Sequence, residues 1–277
     1  MISRLKSARI YLGALIVLVW GLGPFYWMAV TAFRDPNYTF DNTPWPTHLT
    51  FANFRNAFDT SRGNNFGRAL VNSVIIGAAT TAVALLIGML AGYALARLAF
   101  RGKRLVAGLI LSASMFPVVV LVTPLFQLFT DIGWIGHYQA MIIPNISFVL
   151  PMTVYVLSSF FSELPWELEE AARIDGASRL QAFRLVMLPL AAPAVFTTAI
   201  LAFIAAVNEY LLARLLSADA TEPVTVAIAR FVGNDPLVQP YAAIMAAGTI
   251  VTVPLVVMVL IFQRRIISGL TAGGVKS

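Results

Sequence analysis

Between Glu163 and Pro189 the chain reads ELPWELEEAARIDGASRLQAFRLVMLP, a polar stretch set between apolar runs long enough to cross a bilayer. It carries five of the thirteen acidic residues of the protein. Pro165 suits the first turn of a helix, where its missing N–H costs nothing. Gly176 suits the left-handed position that ends one. Ser178, followed three residues later by Gln181, forms a capping-box pattern for a second helix, which Pro189 is expected to stop. The spacing predicts a short helix–turn–helix that is too polar to lie in lipid and projects from the membrane. Within it, Ala171 and Ala172 leave a small-residue patch that a partner surface can approach closely.

Composition sets the surroundings of this stretch. The 277 residues are 59% hydrophobic and 12% charged, with a mean hydropathy of +0.81, which marks a polytopic membrane protein rather than a soluble one. A net charge of +6 raises nucleic acid as a partner, but the basic residues sit at the ends of apolar segments, so topology accounts for them. With no cysteine there is no disulfide, no thiolate zinc site and no cysteine nucleophile. The first apolar run, about Ile10 to Phe33, exceeds a signal-peptide core and carries Trp20, Tyr26 and Trp27, so it reads as a retained helix.

Six spans are expected, over roughly 10–33, 69–95, 105–129, 139–160, 190–213 and 242–263. With the N-terminus inside, 13 of the 19 Lys and Arg residues fall in inner segments. The positive-inside rule then places both termini and the 163–189 loop in the cytoplasm. The 34–68 loop falls outside; it is either a surface loop with a short helix or a docking surface for an external protein. Pro117, Pro124, Pro144 and Pro151 interrupt spans three and four, as bends for a translocation path or as packing devices. Gly77, Gly88 and Gly92 on span two read as helix-packing contacts.

Sites for bond-making chemistry are missing from the pattern. There is no phosphate-cradling G-x-x-x-x-G-K-[ST], so the chain is not itself an ATPase. Neither H-E-x-x-H nor G-x-S-x-G occurs, and the two histidines, His48 and His137, lack ligand-spaced partners. Glu209 is the one carboxylate placed within a span. It is read either as a packing or gating group or as a sugar contact. A single such group argues against proton or sodium coupling. Asn72, Gln127, Asn145 and Asn208 are the further polar candidates for a substrate path.

The string Glu170-Ala171-Ala172, three residues, Gly176, nine residues, Val186, one residue, Leu188-Pro189 resembles the E-A-A-x3-G-x9-I-x-L-P loop of ABC-importer membrane subunits, departing only at Val186. The resemblance extends over nearly the whole chain and is densest from Met115 to Pro193. Thr50 to Phe54 resembles the external segment this family has before its second span, while Phe160 to Pro165, Phe262 to Arg265 and the closing Gly-Leu-Thr-x-Gly-x-Val-Lys look like the carbohydrate branch of maltose and trehalose type, the actinobacterial trehalose importers above all. It implies an all-α membrane protein with the six-helix type I importer permease fold, in the bacterial inner membrane.

The same resemblance implies that Glu170, Ala171, Ala172, Asp175, Gly176, Leu188 and Pro189 couple to a separate ATPase, with the tail from Thr271 to Ser277 lying against the ATPase pair. It further implies a second homologous permease, two copies of an ATPase subunit carrying ATP and magnesium, an external substrate-binding lipoprotein, and trehalose or a related disaccharide as substrate. This chain would bind no cofactor and catalyse nothing itself. The alternative is a self-sufficient secondary carrier, in which the 163–189 loop is dispensable; a membrane enzyme stands third.

Overall fold

The computed structural model describes residues 2–61, 63–231 and 240–272, with side chains from 10 to 263. Arg62 and residues 273–277, the larger part of the tail expected against an ATPase pair, lie outside the described residues. Among the described residues the only extended pairing is a single antiparallel bridge between Arg34 and Leu49; the rest is helix and connecting turns.

The helices are α1 (Ile2–Ala32), α2 (Ala52–Ala57), α3 (Phe66–Arg97), α4 (Lys103–Ser114), α5 (Val118–Asp131), α6 (Tyr138–Glu163), α7 (Trp166–Ile174), α8 (Arg179–Ala182), α9 (Leu188–Val207), α10 (Leu211–Leu216), α11 (Val224–Ala229) and α12 (Tyr241–Ala272). Among the described residues five helical stretches are long and apolar enough to cross a membrane: Ile10–Ala32, Phe66–Arg97, Tyr138–Glu163, Arg179–Val207 and Tyr241–Gln263. A bilayer core of about 30 Å needs roughly 20 helical residues, which each exceeds.

Three details depart from the sequence reading. The span expected over 105–129 is two helices, α4 and α5, meeting at 87°. Pro117 causes the break: it stands in extended conformation just before α5, and a proline disfavours helix in the residue before it. Pro189 does not stop α8. Helix continues from Arg179 to Val207 through a π turn at Phe183–Met187, where the Leu188 N–H reaches back to the Phe183 carbonyl. The wider turn shifts the carbonyl register ahead of the proline, whose ring would otherwise crowd an ordinary α turn. Finally, α9 ends at Val207, so Glu209 lies beyond the helix, in the link to α10.

Contacts divide the chain into two compact units, Met1–Gly67 with Ala227–Pro254 and Arg68–Val226 with Leu255–Ser277. In the first, the loop after α1 folds around Arg34, which is wholly buried. Its guanidinium donates to the carbonyl oxygens of Asp41 and Thr43 and lies 5.1 Å from the centre of the Trp27 ring. Asn53 ties the start of α2 to the end of α1 by donating to the carbonyls of Ala32 and Arg34 at 2.9 and 2.6 Å. A buried charge is tolerated where both its terminal nitrogens find acceptors in this way.

The second unit is built on α3, α6 and α9. Its glycines allow the backbones to approach. A Cβ on Gly92 would lie 3.0 Å from the Ser158 backbone nitrogen, one on Gly88 2.4 Å from the Thr153 methyl, and one on Gly77 2.8 Å from Phe203 and Val207. These are the small-residue contacts by which helices associate in lipid, where no hydrophobic force separates them from their surroundings. Tyr93, Leu157, Phe161, Phe183, Met187, Ala191 and Ala194 form one buried cluster of this unit; Ile76, Phe129, Met141, Leu212 and Leu216 belong to another.

Candidate functional site

From Trp166 to Gln181 the polar stretch forms as its glycine and capping box require. α7 carries Glu167 and Glu169 in its first turn and Arg173 in its last, each complementing the helix dipole. Gly176 closes it at φ +91°. The N–H of Ala177 bonds to the Ala172 carbonyl at 3.0 Å and that of Gly176 to Arg173 at 3.1 Å, the paired pattern of a left-handed helix stop. Ser178 and Gln181 exchange both bonds of the capping box that opens α8.

Its outward surface is unusual. Glu170, Ala171, Asp175 and Gly176 are exposed, and so are Trp166, Leu168, Ile174 and Leu180, with Ile174 at 85%. Ala172 and Leu188 are half-buried and Pro189 is exposed. No atom outside its own turn comes within 4 Å of where a Gly176 Cβ would stand. Acidic, small and large apolar side chains thus stand exposed together along this stretch.

Beneath this surface the sequence reading missed a junction. Glu169 is buried, the one buried residue of α7, and its Oε1 accepts from the Tyr93 hydroxyl at 2.6 Å. Tyr93 is held edge-on against Phe161, with ring centres 5.9 Å apart, and tilted against Phe183 at 4.8 Å. One turn further along α3, Arg97 donates to the Leu164 carbonyl and its guanidinium stands 4.5 Å from the centre of the Trp166 ring. The signal available in sequence was the i, i+4 pair Tyr93 and Arg97 at the end of a span.

In the same unit lies a cleft of about 300 Å³, formed mainly by α6 and α9. Met152, Val149, Leu201 and Ala205 give it apolar walls, while Asn145, Thr153, Thr198, Asn208 and Glu209 supply polar atoms. The hydroxyls of Thr153 and Thr198 are committed to the carbonyls one turn earlier, Val149 and Ala194. Asn208 caps α9 by donating to Ile204 at 2.9 Å. The Glu209 carboxylate accepts from the N–H groups of Leu212 and Ala213 at 2.8 and 2.9 Å. Those two bonds offset the cost of its ionised form, so no substrate is needed to account for a carboxylate here.

Of the five polar candidates, the structure brings Asn145, Asn208 and Glu209 together and leaves two apart. Gln127 is exposed on α5 and does not line the cleft. Asn72 is only 2% exposed and fully engaged. It accepts from the Tyr138 hydroxyl at 2.7 Å and donates to the carbonyls of Ala220 and Glu222. Beside it, Ser73 accepts from the Val224 N–H at 2.8 Å. This clasp fixes the segment before α11, and Thr225, in the first turn of α11, donates to the Glu209 carbonyl at 3.0 Å. Among the described residues no three His, Asp or Glu side chains group closely enough to hold a metal ion.

Five helical stretches long and apolar enough to cross a membrane, among the described residues, define a polytopic membrane protein. The family described as "Binding-protein-dependent transport system inner membrane component" matches residues 60–271, and the chain belongs to it. It is accordingly a multi-pass protein of the inner membrane.

Its relatives include the trehalose transport system permease protein SugB of Mycobacterium tuberculosis, 45% identical over 262 residues and 94% of each chain. The trehalose/maltose transport system permease protein MalG of Thermococcus litoralis is 41% identical over 98% of each chain. The sulfoquinovosyl glycerol transport system permease protein SmoH of Agrobacterium fabrum is 38% identical over 96% of this chain and 93% of that one. In fold, the chain matches a bacterial ABC transporter involved in import of the acidic polysaccharide alginate, with a TM-score of 0.76 over 94% of this chain and 96% of that one at 20% identity. A second structure of an alginate ABC transporter, in complex with a periplasmic protein bound to alginate pentasaccharide, matches with a TM-score of 0.70 at 17% identity, over 93% of this chain and 92% of that one.

Proposed function

We propose that this chain is a permease subunit of an ATP-driven sugar importer, that α7 and the Gly176 turn are its coupling element, and that trehalose or a related disaccharide is its substrate. The observation that carries the coupling reading is the open face of α7. Ile174 at 85% exposure beside Glu170, Ala171 and the Gly176 turn is a surface that water alone does not favour, and large exposed apolar side chains amid charge mark interaction sites. A cleft on an ATPase subunit is the partner proposed. Glu170 and Asp175 would meet cations there, and Ala171, Ala172 and Gly176 would let the backbones close. Leu188 and Pro189 lie just past the π turn in the long helix that would carry the motion into the bundle.

In this reading both termini and the α7 face are cytoplasmic, and the 34–68 loop and the outer ends of the spans meet an external binding protein. A second permease completes the path, and ATP and magnesium reside on the two ATPase copies. The relatives named for trehalose and trehalose/maltose transport support a disaccharide, and the cleft, which holds Asn145 and Asn208 between apolar walls, has the usual character of a small-molecule site.

The test is uptake of labelled trehalose by vesicles holding the complex with both permeases, the ATPase and the binding protein. Uptake that requires ATP and the ATPase is expected, with unlabelled maltose and glucose as competitors to rank the substrate class. Uptake that persists without any ATPase subunit, and collapses with the proton gradient, would instead establish a secondary carrier.

A further inference from the structure

We infer that the hydrogen bond between Tyr93 and Glu169 is the latch by which α7 moves α3, making these two positioning residues for coupling. The inference rests on the reading of α7 as the coupling helix.

The side-chain pattern of α7 is inverted. Its carboxylate Glu169 points inward, 6% exposed, while Leu168 and Ile174 are exposed. A helix held to a bundle by burial alone would place its leucine or isoleucine inside. A carboxylate costs free energy there unless it is hydrogen-bonded, and what it gives in return is direction. Its Oε1 meets one donor, the Tyr93 hydroxyl, at 2.6 Å. That hydroxyl is held in place because the Tyr93 ring is wedged between Phe161 of α6 and Phe183 of the π turn.

A second tie makes the attachment resist pivoting. Arg97 follows Tyr93 by four residues on α3, and Trp166 precedes Glu169 by three on α7. Both pairs therefore lie on single helix faces. Arg97 grips this end of α7 through the Leu164 carbonyl and the Trp166 ring, 4.5 Å from its guanidinium. Two ties between two helix faces fix an angle as well as a distance. Displacement of α7 by a docked partner is then passed to α3 as a rigid movement.

At the other end of α3, Asn72 and Ser73 hold the segment before α11. Asn72 and Tyr93 are 21 residues apart, or about 32 Å at ~1.5 Å per residue. The rod is long enough to carry the stroke across the bilayer.

The test exploits the absence of native cysteine. Val71, exposed near the far end of α3, is replaced as Val71→Cys and labelled with bimane, and the complex is assembled with cysteine-free partners. A non-hydrolysable ATP analogue is expected to shift the bimane emission. Adding Tyr93→Phe is expected to leave the ATPase subunits bound and to reduce the shift about tenfold, because the buried carboxylate loses its one donor among the described residues. Glu169→Gln, which keeps a carbonyl acceptor for the hydroxyl, is expected to retain most of it.

A Tyr93→Phe complex that responds like its parent would overturn the latch. So would one that fails to assemble, since the bond would then be a structural prop. A parent complex that holds no ATPase, or gives no shift, would instead overturn the coupling reading on which the latch depends.

Discussion

The Tyr138 hydroxyl donates to Asn72 Oδ1 at 2.7 Å, and the Asn72 amide passes the chain of bonds on to the carbonyls of Ala220 and Glu222. One side chain thereby joins α3, the start of α6 and the segment before α11. Replacing it leaves a phenol and two carbonyls short of partners in a buried place. Asn72→Leu is expected to cost about 2–3 kcal/mol, from the desolvation of the stranded groups. Gln127→Ala, on the exposed face of α5, is expected to stay within about 0.5 kcal/mol. Thermal unfolding of the purified subunit compares them; equal melting temperatures would contradict the clasp.

A methyl group at Gly92 would stand 3.0 Å from the Ser158 backbone nitrogen. Backbone cannot give way as a side chain can. Gly92→Val is expected to destabilise by about 1–3 kcal/mol through overpacking. Gly108→Ala has open space around it and is expected to stabilise by ~0.5–1 kcal/mol through helix propensity. Chemical denaturation of the two variants in detergent gives the sign of each.

Within the cleft, Glu209 and Asn145 are expected to fail in different ways. The two Glu209 oxygens are committed to the N–H groups of Leu212 and Ala213. Glu209→Gln would turn an NH₂ against one of them, costing about 1–2 kcal/mol of stability, with little change in the KM of uptake. Asn145→Leu retains the bulk of its wall and removes a polar group, so KM is expected to rise about tenfold, the scale of one lost substrate hydrogen bond. Uptake kinetics alongside melting temperatures separate the two.

Local punctuation was the most legible part of this chain. Gly176 adopts the left-handed turn and Ser178 with Gln181 forms the capping box because both depend on residues within one turn of each other. The packing role of Gly88 and Gly92 was legible for a similar reason, since small residues on one helix face have few other uses. Pro189 misled because its effect depends on the carbonyl register ahead of it, and the π turn at Phe183–Met187 alters that register. Glu209 was placed inside a span because hydropathy does not mark the helix end at Val207. Asn72 looked like a substrate contact, since composition cannot tell a polar side chain facing a path from one clasping a loop 148 residues away. Glu169 was hidden among three neighbouring glutamates. Only the packing of α7 against α3 separates it from Glu167 and Glu170.

The most direct test of the coupling claim compares wild type with Gly176→Asp in vesicles that hold the whole complex. At φ +91° a charged side chain strains the turn by about 1 kcal/mol or more and intrudes on the open face where the ATPase is proposed to dock. ATP-dependent uptake is expected to fall to background while the two permeases remain paired in the membrane. Undiminished ATP-dependent uptake by Gly176→Asp would contradict the assignment of this turn as the coupling element.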